Sequence, residues 1–405
     1  MPAAMIWSGT WSGLWQFLSR PPENAAGRRQ MVEGSKIQWR IAHTEASMGW
    51  GGQERRIMSE LLGFKRRGSH VYLAAPDKSR IAEQARQAGI PMQKIEPGRL
   101  RFPLEIARLA LWLRRERIQI LNPHSSRDGW IAGLAGRLAG VPLIIRSRHF
   151  DVPIPNRWVS GIVYRRLADH IITTSPKVTA GFQDIFDLPP DRISTIPTGI
   201  DTAVFSPNGP KARLEFSPQS RGPLLGMIAV VRQAKGHRFL LQAMRLLRSQ
   251  GFPTRCIMVG DGPMLKAVRE LATQLNLDDS VLFAGYREDI PEILRVLDVL
   301  VIPSLHEGVP QVALQALATC TPVVGSNVGG IPSVIRAGET GRLVPAGDVE
   351  ALAAAIKETL TDIEKTQAMK IRGREMVEAQ YSLDGMLDKL EQLYMRLLGR
   401  NGGLQ

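Results

Sequence analysis

The amino-acid sequence predicts an α/β protein built from two doubly wound domains, each with a parallel sheet. Short apolar runs alternate with amphipathic stretches of helical period along most of the chain, as repeated βαβ units require. A turn-rich stretch at 197–223, with five prolines and three glycines, interrupts this alternation, which then restarts. The length of 405 residues suits two or three domains of about 150 residues each. Because open parallel sheets bind ligands at the carboxyl ends of their strands, we expect a cleft between the domains.

The first domain begins at Ile37, where a strand leads into a glycine-rich turn, Gly49 to Gly52. The amphipathic segment from Gln53 to Arg67 then predicts a helix that ends at Gly68. The predicted strands of this domain are IQWRIAHT, VYLAAP, IQILNPH, LIIRSRH and HIITTS.

The second domain repeats the pattern after residue 223. Its predicted strands are LLGMIAVV, CIMVGDG, VLFAG, VLVIPS and PVVGS. A loop with Glu307 and Gly308 follows VLVIPS and leads into a helix from about Pro310, where the missing proline N–H costs no helical bond. A second glycine loop, Gly329 and Gly330, follows PVVGS.

The first 36 residues differ from the rest of the chain. The run MIWSGTWSGLWQFL sets tryptophans and a phenylalanine among small residues and breaks at Pro21 and Pro22. No basic region precedes its interrupted apolar positions, so a secretory signal fits poorly. Two interpretations stay open: a segment that lies at a membrane interface, or an upstream extension with Met31 as the true initiator. We expect this segment to lie outside the fold.

Composition and charge narrow the class of protein. Apolar residues make up 44% and charged residues 22%, which argues against a disordered protein. No run approaches the ~20 apolar residues of a spanning helix, which argues against an integral membrane protein. Two cysteines are too few for a disulfide framework. Up to Ile200 there are 29 Lys and Arg against 16 Asp and Glu, and beyond it 23 against 22, so the excess of +13 lies in the first half. This charge attracts nucleic acid, anionic lipid or a phosphorylated substrate, or it is a solvated surface.

Residues at the ends of predicted strands indicate a phosphate site. Arg232 and Lys235 come after a strand and before a helix, where cations and helical N–H groups favour phosphate or diphosphate. Gly260 ends another strand, where glycine permits close backbone approach or forms a plain tight turn. Glu307 stands at the start of the next helix, either to bind sugar hydroxyls and stabilise positive charge or only to cap the helix.

The segment VIPSLHEGVPQVALQALATCTPVVGSNVGGIPSVI resembles the retaining GT-B glycosyltransferases of family 4. Their signature is two Glu residues separated by seven others, in a context like EGxPxxxxEAxAxGxPVV. Here the first is Glu307 and the second position is Gln315. Further segments resemble the family in the same order: GGQERRIMSELLGFKRRGSHV, IPTGIDTAVFSP, the KGH with its upstream Arg, VGDGP, FAGYREDI, VIPSLHEG and GETGRLVPAGD. The resemblance covers residues 37–398.

The resemblance implies the GT-B architecture, two Rossmann-like domains with a cleft between them. An N-terminal acceptor-binding domain would span 37–205 and a nucleotide-sugar-binding domain 206–382. Residues 383–405 would form a helix that crosses back to the first domain, unless it is an ordinary terminal helix of the second. Residues 1–36 would remain an extension.

The resemblance also assigns site residues. It implies catalytic roles for Arg232 and Lys235 on the donor diphosphate and for Glu307 facing the transferred sugar, with His124 approaching the reacting sugar. The implied donor-binding residues are Gly51, Gly52, Arg232, Lys235, Gly260, Tyr286, Arg287, Glu307, Gly308, Val309 and Gln315. His149, Arg146 and Arg148 are expected on the acceptor side.

Two departures from the family pattern bear on activity. Gln315 keeps hydrogen-bonding capacity for ribose hydroxyls but lacks the carboxylate charge, so weaker donor binding is expected. Ser333 stands where many relatives have a Glu. Because Arg232, Lys235, Glu307 and His124 remain, the interpretation is an active retaining hexosyltransferase that uses a nucleotide diphosphate sugar, by family prevalence a UDP-sugar. No Asp-x-Asp pair occurs in the chain, so no metal and no other cofactor are expected.

The basic first domain suggests the acceptor. Clusters at Phe64–Arg67 and Leu113–Arg117, with Arg157, Arg165 and Arg166, predict peripheral docking on the anionic inner face of the cytoplasmic membrane. A glycan or lipid-linked acceptor of cell-envelope polysaccharide, such as a lipopolysaccharide core, fits this location. Three alternatives stay open: a non-catalytic glycan- or lipid-binding GT-B protein, another GT-B enzyme such as a nucleotide-sugar epimerase, and, last, a nucleic-acid-binding protein.

Overall fold

The computed structural model describes residues 38–96, 102–149, 157–217 and 220–401. The N-terminal segment 1–36 and the predicted strand start at Ile37 lie outside these ranges. Within them, the chain forms two parallel sheets, each flanked by helices.

The first sheet carries the strand order β3–β2–β1–β4–β5–β6–β7, and each described pairing in it is parallel. Its elements in chain order are β1 (Arg40–Thr44), α1 (Gly52–Arg66), β2 (His70–Ala75), α2 (Arg80–Gln87), β3 (Met92–Lys94), α3 (Phe102–Arg115), β4 (Ile120–Pro123), α4 (Ser126–Ala139), β5 (Leu143–Arg148), α5 (Arg157–Ile162) with a π-helical turn (Val163–Leu167), β6 (His170–Thr173), α6 (Pro176–Phe186), a 3₁₀ turn (Pro190–Arg192) and β7 (Ile193–Thr195).

The second sheet has the order β10–β9–β8–β11–β12–β13, again parallel throughout its described pairings. Its elements are β8 (Leu224–Ile228), a 3₁₀ turn (Gln233–Lys235), α7 (His237–Ser249), β9 (Arg255–Val259), α8 (Leu265–Gln274), β10 (Val281–Gly285), α9 (Ile290–Leu294), β11 (Val299–Ile302), α10 (Gln311–Ala318), β12 (Val323–Ser326), a 3₁₀ turn (Ile331–Ser333), β13 (Arg342–Val344), α11 (Val349–Thr361), α12 (Ile363–Gln380) and α13 (Leu383–Asn401).

The predicted architecture of two doubly wound domains is confirmed. In each sheet the strand order reverses between the first strand and the strand beside it, β1/β4 in one domain and β8/β11 in the other. Ligand crevices of open sheets form at such switch points. The strands that sequence periodicity missed, β3, β7 and β13, are three-residue edge strands that pair on one side only.

The last helix, α13, packs on the first domain. Its buried Leu387, Leu390 and Tyr394 join the core formed by α1 and β1. At the α1 end, the Arg67 guanidinium forms ion pairs with Asp388 (2.7 Å) and Glu391 (3.2 Å). The chain therefore passes between the domains twice.

The two crossings pair with each other through their backbones. Ile200 donates to the Tyr381 carbonyl at 2.7 Å and accepts from the Leu383 amide at 2.8 Å. A Cβ on Gly199 would lie 2.7 Å from Leu383 Cα and 2.8 Å from the Ser382 carbonyl oxygen. Only glycine lets the crossings approach this closely, since a Cβ would overlap backbone atoms.

Candidate active site

A cavity of about 1000 Å³ lies between the two domains, at the carboxyl ends of both sheets. Loops that follow β1, β5 and β6 form one wall, and loops that follow β8 to β12 form the other. The cavity therefore occupies the cleft that the strand topology requires. Among the predicted site residues, those that line it are Gly51, Gly52, His149, Lys235, Gly260, Tyr286, Arg287, Glu307, Gly308, Val309 and Gln315.

The glycine loop before α1 is fixed from both domains. The Glu54 carboxylate accepts a hydrogen bond from the Gly51 amide at 2.8 Å, which caps the amino end of α1. From the second domain, the Gln311 side-chain amide donates to the Gly52 carbonyl at 2.7 Å. This contact across the cleft brings the glycine backbone beside the start of α10.

An ion pair between Lys235 and Glu307 stands on the wall of the second domain. Lys235 Nζ lies 2.7 Å from Glu307 Oε1 and 2.6 Å from Oε2, and the Ser304 hydroxyl donates to Oε2 at 3.1 Å. Gly329 has a positive φ of 57° and packs against Glu307, where a Cβ would lie 1.9 Å from its carbonyl oxygen. Two adjacent loops thus hold one cation and one carboxylate side by side in the cleft.

The outer part of the same wall is polar and aromatic. Gln315 lies on α10 with its side chain facing the cavity. Tyr286 stacks under the Arg80 guanidinium of the first domain, 4.6 Å from ring centroid to Cζ, which forms a second bridge across the cleft. Arg287 is bound by the Asp289 carboxylate, with Nε 2.7 Å from Oδ1. Ser333 lies outside the cavity wall and donates to the Gly330 carbonyl at 2.6 Å.

Arg232 is separated from its predicted partner Lys235. Its side chain is exposed, and it is not part of the cavity wall that Lys235 helps to form. The 3₁₀ turn between them directs Lys235 inward. A role for Arg232 on a donor diphosphate stays a prediction, and it requires its side chain to turn toward the cleft.

Three histidines form a hydrogen-bonded row that leads from the core to the cleft. His43 Nδ1 lies 2.8 Å from His124 Nε2, and His124 Nδ1 lies 2.8 Å from His149 Nε2. Successive rings stack with centroids 5.0 Å apart. His149 lines the cavity, whereas His124 is 2% exposed and does not. In this arrangement His124 can influence a bound ligand only through His149.

The position of His124 is set by a buried carboxylate on α4. Asp128 accepts from the backbone amides of His124 (2.9 Å) and Ser125 (2.8 Å) and from the Thr44 hydroxyl (2.6 Å). Burial raises the pKa of Asp128. Burial also lowers the pKa of His43 to about 4 and holds the pKa values of His124 and His149 well below their usual range, so all three imidazoles are neutral at pH 7.

The arginines predicted on the acceptor side lie away from the cavity. Arg146 is 1% exposed, packs beside the Tyr164 ring and donates to the Ser125 carbonyl at 2.6 Å. Arg148 is half-buried against the Phe182 ring, with Cζ 5.7 Å from the centroid. As placed, neither side chain lines the cavity, and a role on the acceptor side stays a prediction.

Sequence reasoning missed several residues of the site. His43, Arg56 and Glu60 are buried in ordinary strand and helix patterns, and a polar residue at an apolar position was the signal that could have found them. Arg80 and Gln311 contribute to the site only through contacts with the opposite domain.

Neither a metal-ligand cluster nor a membrane-spanning helix occurs in the described ranges. Within them, no cluster of three or more His, Cys, Asp or Glu has a metal-binding arrangement. Of the helices they contain, none combines the length and the apolar character that a membrane span needs. Metal independence stays a prediction.

Two family models match consecutive parts of the chain. The model described as Glycosyltransferase Family 4 matches residues 50–204, and the model described as Glycosyl transferases group 1 matches residues 211–376. The first match contains the strands of the first sheet except β1, and the second match contains all strands of the second sheet.

Curated relatives match both domains. UDP-Gal:alpha-D-GlcNAc-diphosphoundecaprenol alpha-1,3-galactosyltransferase of Escherichia coli is 26% identical, in a match that covers 71% of this chain and 77% of the relative's length. GDP-mannose-dependent alpha-(1-6)-phosphatidylinositol monomannoside mannosyltransferase of Mycobacterium tuberculosis is 30% identical over 67% of this chain and 76% of its own. The putative glycosyltransferase EpsF of Bacillus subtilis is 34% identical, with a match that spans 51% of this chain and 57% of that protein.

Solved structures support the same fold. Anabaena Alr3699/HepE, determined in complex with UDP-glucose, superposes with a TM-score of 0.73 at 18% identity and covers 87% of this chain and 98% of its own. Consecutive family matches, relatives that extend across both domains and this structural likeness agree with the cleft described above. The chain therefore belongs to the group 1 glycosyltransferases of family 4, with the GT-B fold.

Proposed function

We propose that this glycosyltransferase is a retaining hexosyltransferase that uses a UDP-sugar and a lipid-linked or glycan acceptor of cell-envelope polysaccharide. The observation that carries the proposal is the Lys235–Glu307 pair on the wall of an interdomain cavity of about 1000 Å³. A cation beside glycine backbone suits a diphosphate, and a carboxylate beside it suits sugar hydroxyls and a positively charged reacting carbon.

The donor is proposed from the cavity and the relatives together. HepE was crystallised with UDP-glucose, and the Escherichia coli relative is named for UDP-Gal. The mycobacterial relative is named for GDP-mannose, so the identity of the nucleotide base in the donor must be tested. In this chain, Gln315 would face the ribose and Tyr286 would flank the base, since both line the outer cavity wall.

The chemistry follows from the charges. The bond between the anomeric carbon and the diphosphate oxygen breaks, and the acceptor oxygen bonds to the same face of the sugar. The acceptor proton passes to the departing diphosphate oxygen. Lys235, together with Arg232 once its side chain turns inward, stabilises the negative charge that develops there. Glu307 stabilises the positive charge on the sugar.

Calorimetric titration with UDP, GDP, ADP and their sugars tests the donor. We expect saturable binding of UDP and a UDP-hexose by the wild type, and its loss in Arg232→Ala/Lys235→Ala. Preference for GDP would overturn the UDP assignment. Absence of binding to any nucleotide would favour a non-catalytic role, with Gln315 as the first residue to restore to Glu.

Two further measurements test the mechanism. NMR of the product from an α-linked donor should show an α-glycoside, and a β-glycoside would refute retention. Turnover should be unchanged after treatment with EDTA. Loss of turnover that added Mg²⁺ or Mn²⁺ restores would refute metal independence.

The proposed membrane contact is assigned to one surface of the first domain. Helix α3 exposes Leu104 (56%) and Leu111 (66%), and the neighbouring α4 exposes Leu138. Arg108 and Arg115 stand on α3 between and beside these leucines. Each pairs with a glutamate, yet their side chains remain 52% and 74% exposed. Apolar side chains in a basic surround favour the interface of an anionic bilayer. Helix α3 begins after the carboxyl end of β3, on the cleft side of the sheet, so a lipid-linked acceptor could enter from this surface.

The basic cluster at Phe64–Arg67 does not take part in this surface. Lys65 donates to the Ala88 carbonyl at 2.7 Å, Arg66 lies 3.5 Å from Asp201, and Arg67 is paired with α13. Because these cations bind carbonyl or carboxylate groups of neighbouring elements, the basic surface is smaller than the sequence predicts.

Co-sedimentation with vesicles tests the surface. We expect wild-type protein to bind vesicles rich in phosphatidylglycerol at low salt, and Leu104→Ser/Leu111→Ser to bind at least about 10-fold more weakly, since two buried leucines each contribute more than 1 kcal/mol. The matched control is Ile363→Ser/Ile371→Ser, which removes two exposed isoleucines of α12 in the second domain. Equal binding of the two variants would refute this surface.

A further inference from the structure

The histidine row ends in the core at a charged pair that the proposed chemistry does not use. Arg56 and Glu60 lie one turn apart on α1, both buried, with Arg56 Nε 2.7 Å from Glu60 Oε1. Arg56 also donates to the Ile196 carbonyl (2.9 Å) and the Thr198 hydroxyl (3.2 Å). The other carboxylate oxygen, Glu60 Oε2, faces His43 Nε2 at 3.9 Å.

The hydrogen bonds along a row of neutral imidazoles can run in either of two directions. Each ring carries one N–H, so a proton on Nε2 of one ring fixes its Nδ1 as an acceptor and sets the next ring in turn. In one direction every ring is protonated on Nε2, with His149 donating to His124 and His124 to His43. In the other direction every ring is protonated on Nδ1.

The Glu60 carboxylate selects between them. With His43 protonated on Nε2, its N–H points toward a carboxylate oxygen that has no other hydrogen-bond partner among the described residues. With His43 protonated on Nδ1, a bare nitrogen lone pair would face that oxygen in a buried environment, which is repulsive. At the core end of the row, the first direction therefore has the lower energy.

We propose that Glu60 is a positioning residue, which through His43 and His124 fixes His149 in the tautomer protonated on Nε2. In this tautomer His149 Nδ1 is a hydrogen-bond acceptor, so any group that contacts this nitrogen must donate. Substrate hydroxyls have that character, whereas ionised phosphate oxygens do not.

The tautomer can be read directly in the unmodified protein. Long-range ¹H–¹⁵N correlation on full-length protein labelled at its seven histidines distinguishes the protonated from the bare ring nitrogen. We expect His43, His124 and His149 each to be protonated on Nε2 at pH 7.5. Protonation of any of the three on Nδ1 would overturn the proposal, and this readout does not depend on the proposed function.

A Glu60→Gln variant then tests the source of the direction. A glutamine amide can donate to His43 Nε2, so Nδ1–H signals should appear in the row. The matched control is Glu105→Gln, since Glu105 is 2% exposed and lies 3.3 Å from Arg108, away from the histidines. Unchanged tautomers in Glu60→Gln would refute the role of Glu60.

The activity measurement rests on the proposed function. We expect kcat/KM of Glu60→Gln to fall about 10- to 100-fold, the loss typical of groups that orient a metal-binding histidine through its second ring nitrogen, and that of Glu105→Gln to fall much less. Equal losses in the two variants at equal thermal stability would refute a positioning role. A protein with the expected tautomers but no transferase activity would refute the proposed function alone.

Discussion

Replacement of Lys235 by alanine is the most direct test of the cleft. In the structure its ammonium contacts both oxygens of Glu307, and the two side chains are 27% and 14% exposed. The substitution therefore has two effects on a bound diphosphate. It removes the cation, and it leaves the Glu307 carboxylate without its partner next to the negative ligand.

The size of the effect follows from these contacts. A hydrogen bond to a charged group contributes about 1.5–3 kcal/mol, and the partial exposure of Lys235 places this one near the lower end. Repulsion from the unpaired carboxylate adds to the loss. We expect a total of about 2 kcal/mol, which corresponds to UDP binding about 30-fold more weakly. Removing the Glu307 charge as well, in Lys235→Ala/Glu307→Gln, should restore the repulsive part of this loss, about 0.5 kcal/mol.

Calorimetry with UDP at fixed ionic strength measures this cycle. The four proteins are the wild type, the two single variants and the double variant, with Lys266→Ala as the control because Lys266 is 91% exposed on α8. The control should bind like the wild type. The reasoning is refuted if Lys235→Ala binds UDP within about 3-fold of wild type, or if the effects of the single variants simply add.

Three further predictions concern donor affinity, packing and pH. Gln315→Glu should bind UDP about 5-fold more tightly in calorimetry, because a charge-assisted bond to ribose is about 1 kcal/mol stronger than a neutral one; unchanged affinity would argue against a ribose contact. Gly199→Ala should lower urea stability by about 1–3 kcal/mol through overlap at the domain crossing, whereas Gly181→Ala, whose Cβ meets no atom within 4 Å, should not; equal effects would refute the overlap. Lowering the pH from 7.5 to 5.5 should lower the free energy of unfolding, measured in urea, by at least about 2 kcal/mol. An increase would contradict the prediction. Over that range, three histidines take up protons in the unfolded chain but stay neutral in the folded protein. This difference lowers the free energy of unfolding by about 1.4 kcal/mol for each histidine. The pKa of Glu45, raised by burial to about 7, offsets about 2 kcal/mol because the folded state takes up that proton first. The three histidines, with pKa values lowered to about 4, are His43, His170 and His237.

The pattern of apolar residues predicted the central strands of both sheets, and the structure contains them. The run VLVI in β11 is buried throughout, so its continuous apolar character identifies a central strand without tertiary information. The edge strands β3, β7 and β13 have mixed sequences and pair with one neighbour, so composition gives little signal for them.

The candidate site was predictable to the extent that it depends on loops after strands. Lys235, Gly260 and Glu307 could be placed near one another because each follows a strand of the second parallel sheet. Arg232 was expected beside Lys235, and the 3₁₀ turn leaves it exposed. Arg146 was expected at a ligand, and its place inside β5 buries it.

The number of domains, the order of most elements and the loops that face the cleft could be predicted from the sequence, because periodicity and turn residues are local properties of the chain. Which polar groups contact one another depends on the packing of distant elements. The contacts of His43, His124 and His149 with one another and with Glu60 join β1, α1 and the ends of β4 and β5. Those contacts depend on strand register and helix position to within about an ångström, and the apolar pattern constrains neither so closely.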